Sequence, residues 1–409
     1  MRSSLVPVAC ALLVTFPTFV QADEPRPLKV GVHLHSTIST GTLEPPAIVT
    51  LARQAGLDAV IFTDSALRRW EYGVWPARAW IKRVMEQPSV LSFGAKRYLD
   101  TLRPLSTPEL LVLPGLEAAP FYYWRRSPFD RRGGQIRSWN QHLLVFGLED
   151  PRAIQTLPLN AFDPYQGNRG AAPYQRFIEA MTAQGGLVFW AHPEMGHAGE
   201  HGPVEDYTDP YPHLLELTSG YHGFAITYLD KLTFVEVGGL WDRLLTAYCT
   251  GRRRQPVWIL GELDWRKPEE RPLDRMVTMV MASERTADAV VHALRTGRMW
   301  VVFRIGRQAP VLHRFEATAL TGHVTAGIGQ SIAPIGPIRI QVSGHRGSPE
   351  PGPAHVFLIK DGAVLHMEEV TADEFDLVWT DDAPSTRGFY RAVFQGPSGL
   401  IYTNPIFVR

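Results

Sequence analysis

The sequence predicts an α/β protein in which a barrel of alternating strands and helices is followed by a small antiparallel β-sandwich. The chain has 409 residues, which is too long for one ordinary core and indicates two domains, or one large barrel with an appendage. Strand-like and helical runs alternate over residues 27–304, and this pattern favours a barrel built on a parallel sheet. From residue 305 to residue 409 helical periodicity disappears and short alternating runs replace it, as in a sandwich.

Residues 1–22 are predicted to be a signal peptide. Arg2 precedes an apolar run from Leu5 to Val20, and small residues come just before Asp23. We therefore expect export to the periplasm or to the outside of the cell, with no stable membrane insertion after cleavage. The formal net charge of zero argues against nucleic acid, or an anionic membrane surface, as the main partner.

The first β-α-β unit is predicted between residues 28 and 63. Its first strand closes with Val30–Ser36, and its helix covers Pro45–Ala55, with proline near the start, apolar residues at helical spacing and Gly56 as the stop. The strand Ala59–Thr63 follows at once. This order predicts parallel strands whose carboxyl ends carry the functional groups.

The same alternation continues through the rest of the barrel region. The first two strands and five later ones make seven strand-like runs, and this number favours a closed or nearly closed barrel. The later strands are predicted at 110–113, 143–146, 187–190, 234–237 and 257–260, and helices at 174–183, 240–249 and 286–295. Three long intervals, at 68–108, 120–140 and 194–231, are expected to overhang the barrel mouth as binding loops or lids.

The sandwich is predicted from short alternating runs with turn residues between them. Asp361-Gly362 is a hairpin turn signal between two of these runs. The predicted strands are 338–342, 355–360, 363–367, 375–379, 389–394 and 400–408.

Two histidines in the first strand indicate metal chemistry. His33 and His35 stand at positions i and i+2, so both imidazoles should point to one face and reach one ion. The pair alone is equally typical of solvated or core histidines. A ligand function is favoured because five further positions that a barrel would bring to the same mouth carry acidic or imidazole side chains: Asp64, Glu117, His142, His192 and Asp264.

Taken together, the motifs resemble the polymerase and histidinol phosphatase (PHP) superfamily over residues 28–302. The resemblance rests on His33 to Gly41, Ala55 to Val60 with Thr63-Asp64, Pro114 to Glu117, Asn140 to Leu143, Ala191 to Pro193, and Asp264 to Arg266. It implies a distorted (β/α)7 barrel that holds up to three metal ions at its mouth and hydrolyses mostly phosphoesters. Within the superfamily, the chain most resembles the exported carbaryl-hydrolase-like branch.

The resemblance also implies which residues bind metal. The first site would be His33, His35, Glu117 and Asp264, and in the second Glu117 would form a bridge to an ion also held by His142 and His192. A third site lacks its ligands, because similar proteins have aspartate, histidine and histidine where this chain has Thr40, Ser65 and Arg266. This pattern predicts a binuclear variant.

Arg266 and Asp64 are the predicted catalytic residues beside the metals. The Arg266 guanidinium could replace the missing cation and bind an anionic or carbonyl oxygen; the alternative is that it only pairs with Glu262 or Asp64. Asp64 is expected to accept a hydrogen bond that orients His33 or His35. The other histidines of the long interval after His192 are expected to be exposed loop residues, with substrate contact or proton transfer as the alternative: His197, His201, His213 and His222.

The predicted function is metal-dependent hydrolysis of a small-molecule ester. Mixed imidazole and carboxylate ligands suit two divalent ions of Zn, Mn or Fe. Two ions that share Glu117 would lower the pKa of a shared water from ~15.7 toward ~7 and polarise a phosphoester or a carboxyl or carbamate ester. The alternative is a binding or sensing protein that kept the barrel and lost turnover.

Overall fold

The computed structural model of the chain describes residues 27–159, 167–227, 231–347 and 352–409. The predicted signal peptide at residues 1–22 lies outside these ranges. None of the helices in the described ranges combines the length and the apolar character that a membrane span requires.

The first three quarters of the chain alternate strands with helices. The strands are β1 (Leu28–Leu34), β2 (Ala59–Phe62), β3 (Arg68–Gly73), β4 (Lys82–Gln87), β5 (Leu111–Ala118), β6 (Tyr123–Arg126), β7 (Gly134–Arg137), β8 (Leu143–Phe146), β9 (Leu187–Trp190), β10 (His197–His201), β11 (Val204–Thr208), β12 (Gly223–Thr227), β13 (Trp258–Glu262), β14 (Met276–Val280) and β15 (Met299–Arg304). The helices are α1 (Pro45–Gln54), α2 (Val90–Phe93), α3 (Ala95–Leu102), α4 (Pro151–Gln155), α5 (Ala172–Ala183), α6 (Pro212–Leu217), α7 (Leu240–Cys249) and α8 (Ala287–Thr296), with 3₁₀ turns at Arg103–Leu105 and Thr233–Val235.

The last quarter contains strands and no helix among its described residues. These strands are β16 (Val311–Ala319), β17 (Thr325–Gly327), β18 (Ser331–Ile332), β19 (Ile338–His345), β20 (Ala354–Lys360), β21 (Ala363–Val370), β22 (Glu374–Asp381), β23 (Gly388–Gly396), β24 (Gly399–Thr403) and β25 (Ile406–Val408).

Local sequence signals set the helix ends. α1 starts at Pro45, and the N–H that proline lacks would have no intrahelical partner at this position. The helix buries Ile48, Val49 and Ala52 in the main core. α8 is capped by the Thr286 hydroxyl, which accepts from Ala289 N at 3.2 Å. It ends at Gly297, whose φ of 70° is a left-handed conformation that favours glycine.

One large curled sheet organises the fold. Its strand order is β13-β12-β9-β8-β5-β2-β1-β14-β15-β24-β23-β20-β21. The residues just after β13 hydrogen-bond to β1: Leu263 N donates to Val32 O at 2.9 Å, and Trp265 N to His33 O at 3.0 Å. The curl therefore brings the two ends of this part of the sheet together, whereas the count of seven barrel strands stays a prediction.

One of the predicted strands differs in direction from the sequence prediction. β1, β2 and β5 pair in parallel, as do β9, β12 and β13. β8, however, runs antiparallel to both of its neighbours, β5 and β9. Its amino end therefore lies beside the carboxyl ends of the other strands. β14, which was not predicted, also pairs antiparallel with β1.

The predicted strand at residues 234–237 is wrong. Residues Thr233–Val235 form a 3₁₀ turn. The sheet strand of this region is β12, which precedes the turn and lies inside the interval predicted to be a loop. A short apolar run does not distinguish a strand from a buried turn. Here Gly238, with φ of 73°, and Gly239 redirect the chain into α7.

The C-terminal strands form antiparallel sheets, and one of them continues the large sheet. β16, β17, β19 and β22 make a separate four-stranded sheet, while β24 pairs with β15 through Trp300 and Thr403. The sheet thus crosses residue 305, and the division into residues 27–304 and 305–409 stays a prediction.

Buried polar contacts also join the two parts. Arg391, on β23, donates from Nε and Nη2 to the Asp242 carboxylate of α7 at 2.7 and 2.8 Å. The Asn404 side chain accepts from Ile259 N at 2.9 Å and donates to Met299 O at 3.0 Å. Because these groups are buried, their pairing fixes the C-terminal strands against the first part.

The long intervals fold into small sheets. β3 and β4 form a hairpin, and β10, β11, β7 and β6 form a four-stranded sheet. Both enclose a second apolar cluster, separate from the main core, that consists of Trp70, Tyr122, Trp124, Ile136, Trp139 and Val204.

Candidate metal centre

Four side chains from three strand ends form a first group of candidate ligands. His33 Nε2 lies 3.1 Å from His35 Nε2 and 3.3 Å from Glu117 Oε1. Asp264 Oδ1 lies 3.6 Å from the His33 nitrogen and 3.5 Å from the His35 nitrogen. Ligand atoms about 2.0–2.2 Å from one ion stand about 3.3–3.6 Å apart in tetrahedral geometry, so these distances suit one shared cation.

Glu117 also belongs to a second group, with His142 and His192. Its Oε1 lies 2.6 Å from His142 Nδ1 and 3.8 Å from His192 Nε2. His142 immediately precedes β8, and because β8 is antiparallel its amino end reaches the mouth. The sequence prediction that ligands follow the carboxyl ends of parallel strands is therefore wrong for this residue, although the structure places its side chain within the cluster.

Glu262 is a further acidic residue of the cluster that was not among the predicted ligands. His33 Nδ1 donates to Glu262 Oε2 at 2.7 Å, and both side chains are fully buried. With His192, these two residues form a third set of converging ligand atoms. The contact fixes a proton on His33 Nδ1, so Nε2 is the ring nitrogen that would bind a cation.

Replacing Glu262 with glutamine is expected to weaken metal binding about 10-fold to 100-fold, because an amide supports the His33 ring less well than a carboxylate. The measurement is competition with a chromogenic chelator. The exposed Glu205→Gln variant is the control. Equal metal affinity in the Glu262→Gln variant and the unmodified protein would show that Glu262 does not act through His33.

Three of the candidate ligands have strained backbones. His33, His192 and Asp264 have φ values of 70°, 29° and 45°, in the left-handed region that non-glycine residues seldom adopt. The pairing of β1 with β2 also shifts register between Val32 and Leu34, so His33 lies in a bulge. The bulge does not separate the two side chains, because the ring centroids of His33 and His35 lie 5.0 Å apart and their Nε2 atoms 3.1 Å apart, as expected for two imidazoles that reach one point. Such strain is common where a site requires a fixed geometry.

Four buried polar atoms of the cluster lack hydrogen bonds of good geometry among the described residues, although one of them, Asp264 Oδ1, lies 2.8 Å from Arg266 Nη1. They are Glu117 Oε1, Glu262 Oε1, Asp264 Oδ1 and His142 Nδ1. Glu117 Oε1 and His142 Nδ1 lie only 2.6 Å apart, yet their orientation does not make a proper hydrogen bond. Leaving such groups unpaired is unfavourable, so acceptors aimed at one point fit a set of metal ligands.

Charge in the cluster is partly balanced by the histidines themselves. Burial disfavours charged His33, but the attraction of Glu262 and contacts with Glu117 outweigh it and raise the His33 pKa to about 10. Burial lowers the pKa of His35 to about 4. Burial would raise the pKa of Glu117, but the attraction of His142 and other histidines holds it well below its usual range. Without an ion His33 is therefore protonated at neutral pH beside the ionised Glu117, and a cation that binds at His33 Nε2 would displace the proton there.

Asp64 supports the first histidine pair indirectly. It accepts from Ser36 N at 2.8 Å, Ser36 Oγ at 2.9 Å and Ser39 Oγ at 2.6 Å. Ser39 Oγ in turn lies 3.2 Å from His35 Nδ1. Burial raises the pKa of Asp64 to about 6, against the opposing effect of these hydrogen bonds. Asp64 therefore orients the loop that contacts His35, and Glu262 is the residue that holds His33.

Arg266 lies at the edge of the cluster. Its Nη1 is 2.8 Å from Asp264 Oδ1, and its Nε donates to Thr40 Oγ1 at 3.3 Å. The Ser65 hydroxyl donates to Glu117 Oε2 at 3.1 Å. Arg266 thus pairs with Asp264, instead of with Glu262 or Asp64 as considered from the sequence.

A second arginine, Arg68, faces the same cluster and was not identified from the sequence. Its Nε donates to Gln87 Oε1 at 2.9 Å, and its guanidinium lies 4.6 Å above the Trp139 ring. Among the described residues, its terminal nitrogens make no hydrogen bond. Burial lowers its pKa, while Glu117 and Asp264 attract its charge. No motif distinguished it, because it opens an interval predicted to be a loop.

The other four histidines of the interval after His192 lie in three different settings. His197 and His201 lie 3.3 and 3.0 Å from Asp206 Oδ2 on the β10–β11 hairpin, and neither belongs to the groups of converging ligand atoms among the described residues. His213 is exposed on α6. His222 is partly buried, accepts from Val188 N at 3.2 Å, and has a pKa lowered to about 4 by burial and by Arg295.

His222 is expected to make folding stability depend on pH. In the unfolded chain it takes up a proton near its ordinary pKa of 6.5, but in the folded chain only near pH 4. Its stabilising contribution is therefore present above pH 6.5 and is lost as pH falls to about 4. The stability difference between the unmodified protein and His222→Gln, measured by urea unfolding, should shrink over this window. A difference that does not change with pH would contradict the assignment.

Comparisons with solved structures reveal similar proteins at low identity. No protein-family model matches the chain, and no curated protein matches it. A two-domain protein from Bacteroides vulgatus ATCC 8482, containing a predicted PHP-like metal-dependent phosphoesterase, is 15% identical with a TM-score of 0.41, over 94% of this chain and 96% of that one.

Two further neighbours cover less of this chain. A protein from Bifidobacterium adolescentis ATCC 15703, assigned as a metal-dependent phosphoesterase, is 15% identical with a TM-score of 0.33, over 65% of this chain and 95% of that one. An amidohydrolase from Chromobacterium violaceum, with bound sulfate and no metal, is 13% identical with a TM-score of 0.29, over 59% of this chain and 88% of that one. These are likenesses at low identity, and none of them identifies the reaction of this chain.

Proposed function

We propose that this protein is a metal-dependent hydrolase that cleaves an ester bond at a site for two divalent cations. The observation that carries the proposal is the convergence of buried ligand atoms in two groups that share Glu117. Burying this many carboxylates and imidazoles without a cation would be unfavourable. Metal binding is the function that best explains why they stand together.

The donor set defines which residues hold the ions. His33, His35, Glu117 and Asp264 would bind the first, and Glu117, His142 and His192 the second. Imidazole and carboxylate donors suit Zn, Mn or Fe. When bound, two such ions lower the pKa of a shared water and polarise the scissile bond of the substrate.

The surrounding residues keep the ligands in place. Glu262 accepts a hydrogen bond from His33 Nδ1. Ser39 donates to Asp64, and the same Ser39 hydroxyl contacts His35 Nδ1. Ser65 bonds to the oxygen of Glu117 that faces away from His142. Each contact limits ring or carboxylate rotation, so the ligands are preorganised.

Two guanidinium groups beside the cluster favour an anionic substrate. Arg266 pairs with Asp264, and it replaces a histidine that would bind a third metal ion in similar proteins. The terminal nitrogens of Arg68 make no hydrogen bond among the described residues. A planar fork of N–H groups matches the oxygens of a phosphoryl group. We therefore favour a phosphoester over a neutral carboxyl or carbamate ester, with Arg266 as a catalytic residue.

An Arg68→Gln variant is expected to raise KM for p-nitrophenyl phosphate about 10-fold to 100-fold, because one or two charge-assisted hydrogen bonds to the substrate are lost. KM for the neutral p-nitrophenyl acetate should hardly change. Steady-state kinetics on the metal-loaded protein measure both values.

The matched control for this variant is Arg69→Gln. Arg69 is the next residue along the strand, and its guanidinium pairs with Glu71 instead of facing the cluster. It should leave both KM values unchanged. If Arg68→Gln affected the two esters equally, Arg68 would have a structural role and the argument for an anionic substrate would fail.

Export and partners are part of the same proposal. The predicted signal peptide at residues 1–22 supports a periplasmic or secreted enzyme of the carbaryl-hydrolase-like branch. Its substrate would be a small molecule and not nucleic acid, in keeping with the formal net charge of zero.

Chromogenic esters test the proposal. Protein loaded with Mn or Zn should hydrolyse p-nitrophenyl phosphate, lose this activity with a chelator, and regain it when the ion is restored. If the chelated, metal-free protein hydrolysed the ester at the full rate, the proposal would be wrong. Metal-free and inert protein under all conditions would favour the binding alternative.

A further inference from the structure

We propose that a surface beside the candidate metal centre docks this protein on an anionic phospholipid bilayer. The surface consists of the tip of the β3–β4 hairpin and the neighbouring turn between β6 and β7, residues 74–85 and 125–133, and is called the docking patch below. The inference is independent of the reaction catalysed, because it concerns where the protein sits.

Large apolar side chains are unusually exposed in the docking patch. Trp75 is 71% exposed, Trp80 86%, Ile81 49% and Phe129 53%. Single exposed apolar residues are ordinary, but a group that contains two tryptophans marks an interaction surface. Tryptophan is enriched at membrane interfaces because its ring is apolar and its N–H is polar.

The exposed residues form one surface because the two turns contact each other. The Tyr72 and Phe129 rings lie 6.1 Å apart in an edge-on contact. Arg83 Nη1 donates to Pro128 O at 3.4 Å. The β6–β7 turn therefore lies against the end of the β3–β4 hairpin.

The exposed side chains are not needed for the core of this region. The inner side of the hairpin already packs through Trp70, and the Trp70 and Trp124 rings lie 5.3 Å apart. Tyr72 makes a similar contact with Trp124 at 5.2 Å. The inner face of the hairpin thus holds it in place, while the tip exposes apolar side chains to solvent.

The docking patch also has a local excess of positive charge. Its two segments contain seven basic residues and one acidic residue. The basic residues are Arg78, Lys82, Arg83, Arg125, Arg126, Arg131 and Arg132; the acidic residue is Asp130, which pairs with Arg132. Arg78 and Lys82 lie 3.5 and 4.0 Å from Glu71, and Arg126 lies 2.9 Å from Glu205. Among the described residues, Arg83, Arg125 and Arg131 have no acidic partner, and they carry the positive charge that remains. The overall net charge of zero conceals this excess. A positive ring around apolar side chains matches an anionic lipid surface.

Two other occupants fit the observations less well. A second copy bound through a two-fold axis would place the same cations opposite each other, and they would repel. Single-stranded nucleic acid would use aromatic faces for stacking, whereas Ile81 and Val84 offer no ring. Burial in the interfacial layer of a bilayer uses the aliphatic and aromatic residues alike.

The position of the docking patch relates it to the candidate metal centre. Arg68 begins the same hairpin, and the strand from Arg68 to Gly73 spans about 17 Å at a rise of about 3.3–3.4 Å per residue. Docking through the tip would therefore place Arg68, at the opposite end of this strand, up to about 17 Å farther from the lipid headgroups than Gly73.

Co-sedimentation with large vesicles tests the inference directly. The full chain should bind vesicles of phosphatidylcholine that contain phosphatidylglycerol, but not vesicles of phosphatidylcholine alone. Binding should weaken as salt rises, because screening reduces the attraction of the basic residues.

Matched variants separate the apolar and the ionic contributions. Trp80→Ala should weaken binding about tenfold or more, and Arg131→Gln with Arg132→Gln about 30-fold. Leu217→Ala removes a residue that is 65% exposed on α6 and should bind as the unmodified protein does. An unchanged melting temperature shows that each variant is folded.

Several outcomes would overturn the inference. The first is failure to bind the anionic vesicles, and the second is binding that Trp80→Ala leaves unchanged. A dimer in analytical ultracentrifugation that Trp80→Ala dissociates would assign the patch to a second copy. Binding to single-stranded DNA in place of vesicles would assign it to nucleic acid.

Discussion

A Glu117→Gln variant is expected to lose both metal ions and to reduce kcat/KM about a thousandfold or more. Glu117 is the only one of the predicted ligands that belongs to both predicted metal sites, so the amide removes a charge from each. Metal ions contribute several kcal/mol to stabilising the transition state, and about 1.4 kcal/mol corresponds to a factor of ten in rate. Metal analysis of the purified variant, together with hydrolysis of p-nitrophenyl phosphate, measures both effects.

The control for Glu117→Gln is Glu71→Gln, which changes a buried carboxylate outside the cluster. Glu71 pairs with Arg69 at 2.6 Å in the β3–β4 hairpin. It should keep the metal content and the activity. If the Glu117→Gln protein retained two ions per chain, Glu117 would not be the ligand that both ions share.

A His192→Ala variant is expected to lose about one ion per chain and to reduce hydrolysis about a hundredfold or more. His192 is a predicted ligand of the second site, and it also converges with His33 and Glu262. Loss of residues that only support a metal ligand lowers activity 10-fold to 100-fold, so loss of a ligand should exceed this range. Metal analysis and kinetics at saturating metal distinguish weak binding from loss of the ion.

The comparison for His192→Ala is His213→Ala, because His213 is exposed on α6 and takes no part in the cluster. It should behave as the unmodified protein. Full hydrolysis by His192→Ala would show that one site is enough for the reaction, and the binuclear proposal would then be withdrawn.

Much of the secondary structure could be predicted from sequence periodicity. α7 has the predicted bounds, Leu240–Cys249, and β8 and β9 coincide with predicted strands. These elements have clear periods and clear ends. β12 was missed because its apolar run, Gly223–Thr227, lies inside a segment whose glycines and aromatic residues indicate a loop.

Strand direction could not be predicted from the sequence. A four-residue apolar run such as Leu143–Phe146 has the same pattern whether it pairs in parallel or antiparallel fashion. Only the antiparallel pairing of β8 with β5 and β9 explains how His142 reaches the mouth from the start of a strand.

The motifs identified residues that the structure brings together, but they did not reveal the support around them. His33 and Glu117 stood out because histidine pairs and acidic strand ends are typical of metal sites. Glu262 lies at a buried strand position two residues before Asp264, and nothing local distinguishes it from a structural carboxylate. Arg68 depends on Trp139, more than seventy residues away, so only tertiary structure places it beside the cluster.

Anomalous diffraction from crystals of protein loaded with Zn or Mn tests the central claim most directly. The account predicts two peaks about 3.5–4 Å apart, with Glu117 within bonding distance of both. His33, His35 and Asp264 should surround one peak, and His142 and His192 the other. A single peak, or two peaks that do not share Glu117, would contradict it.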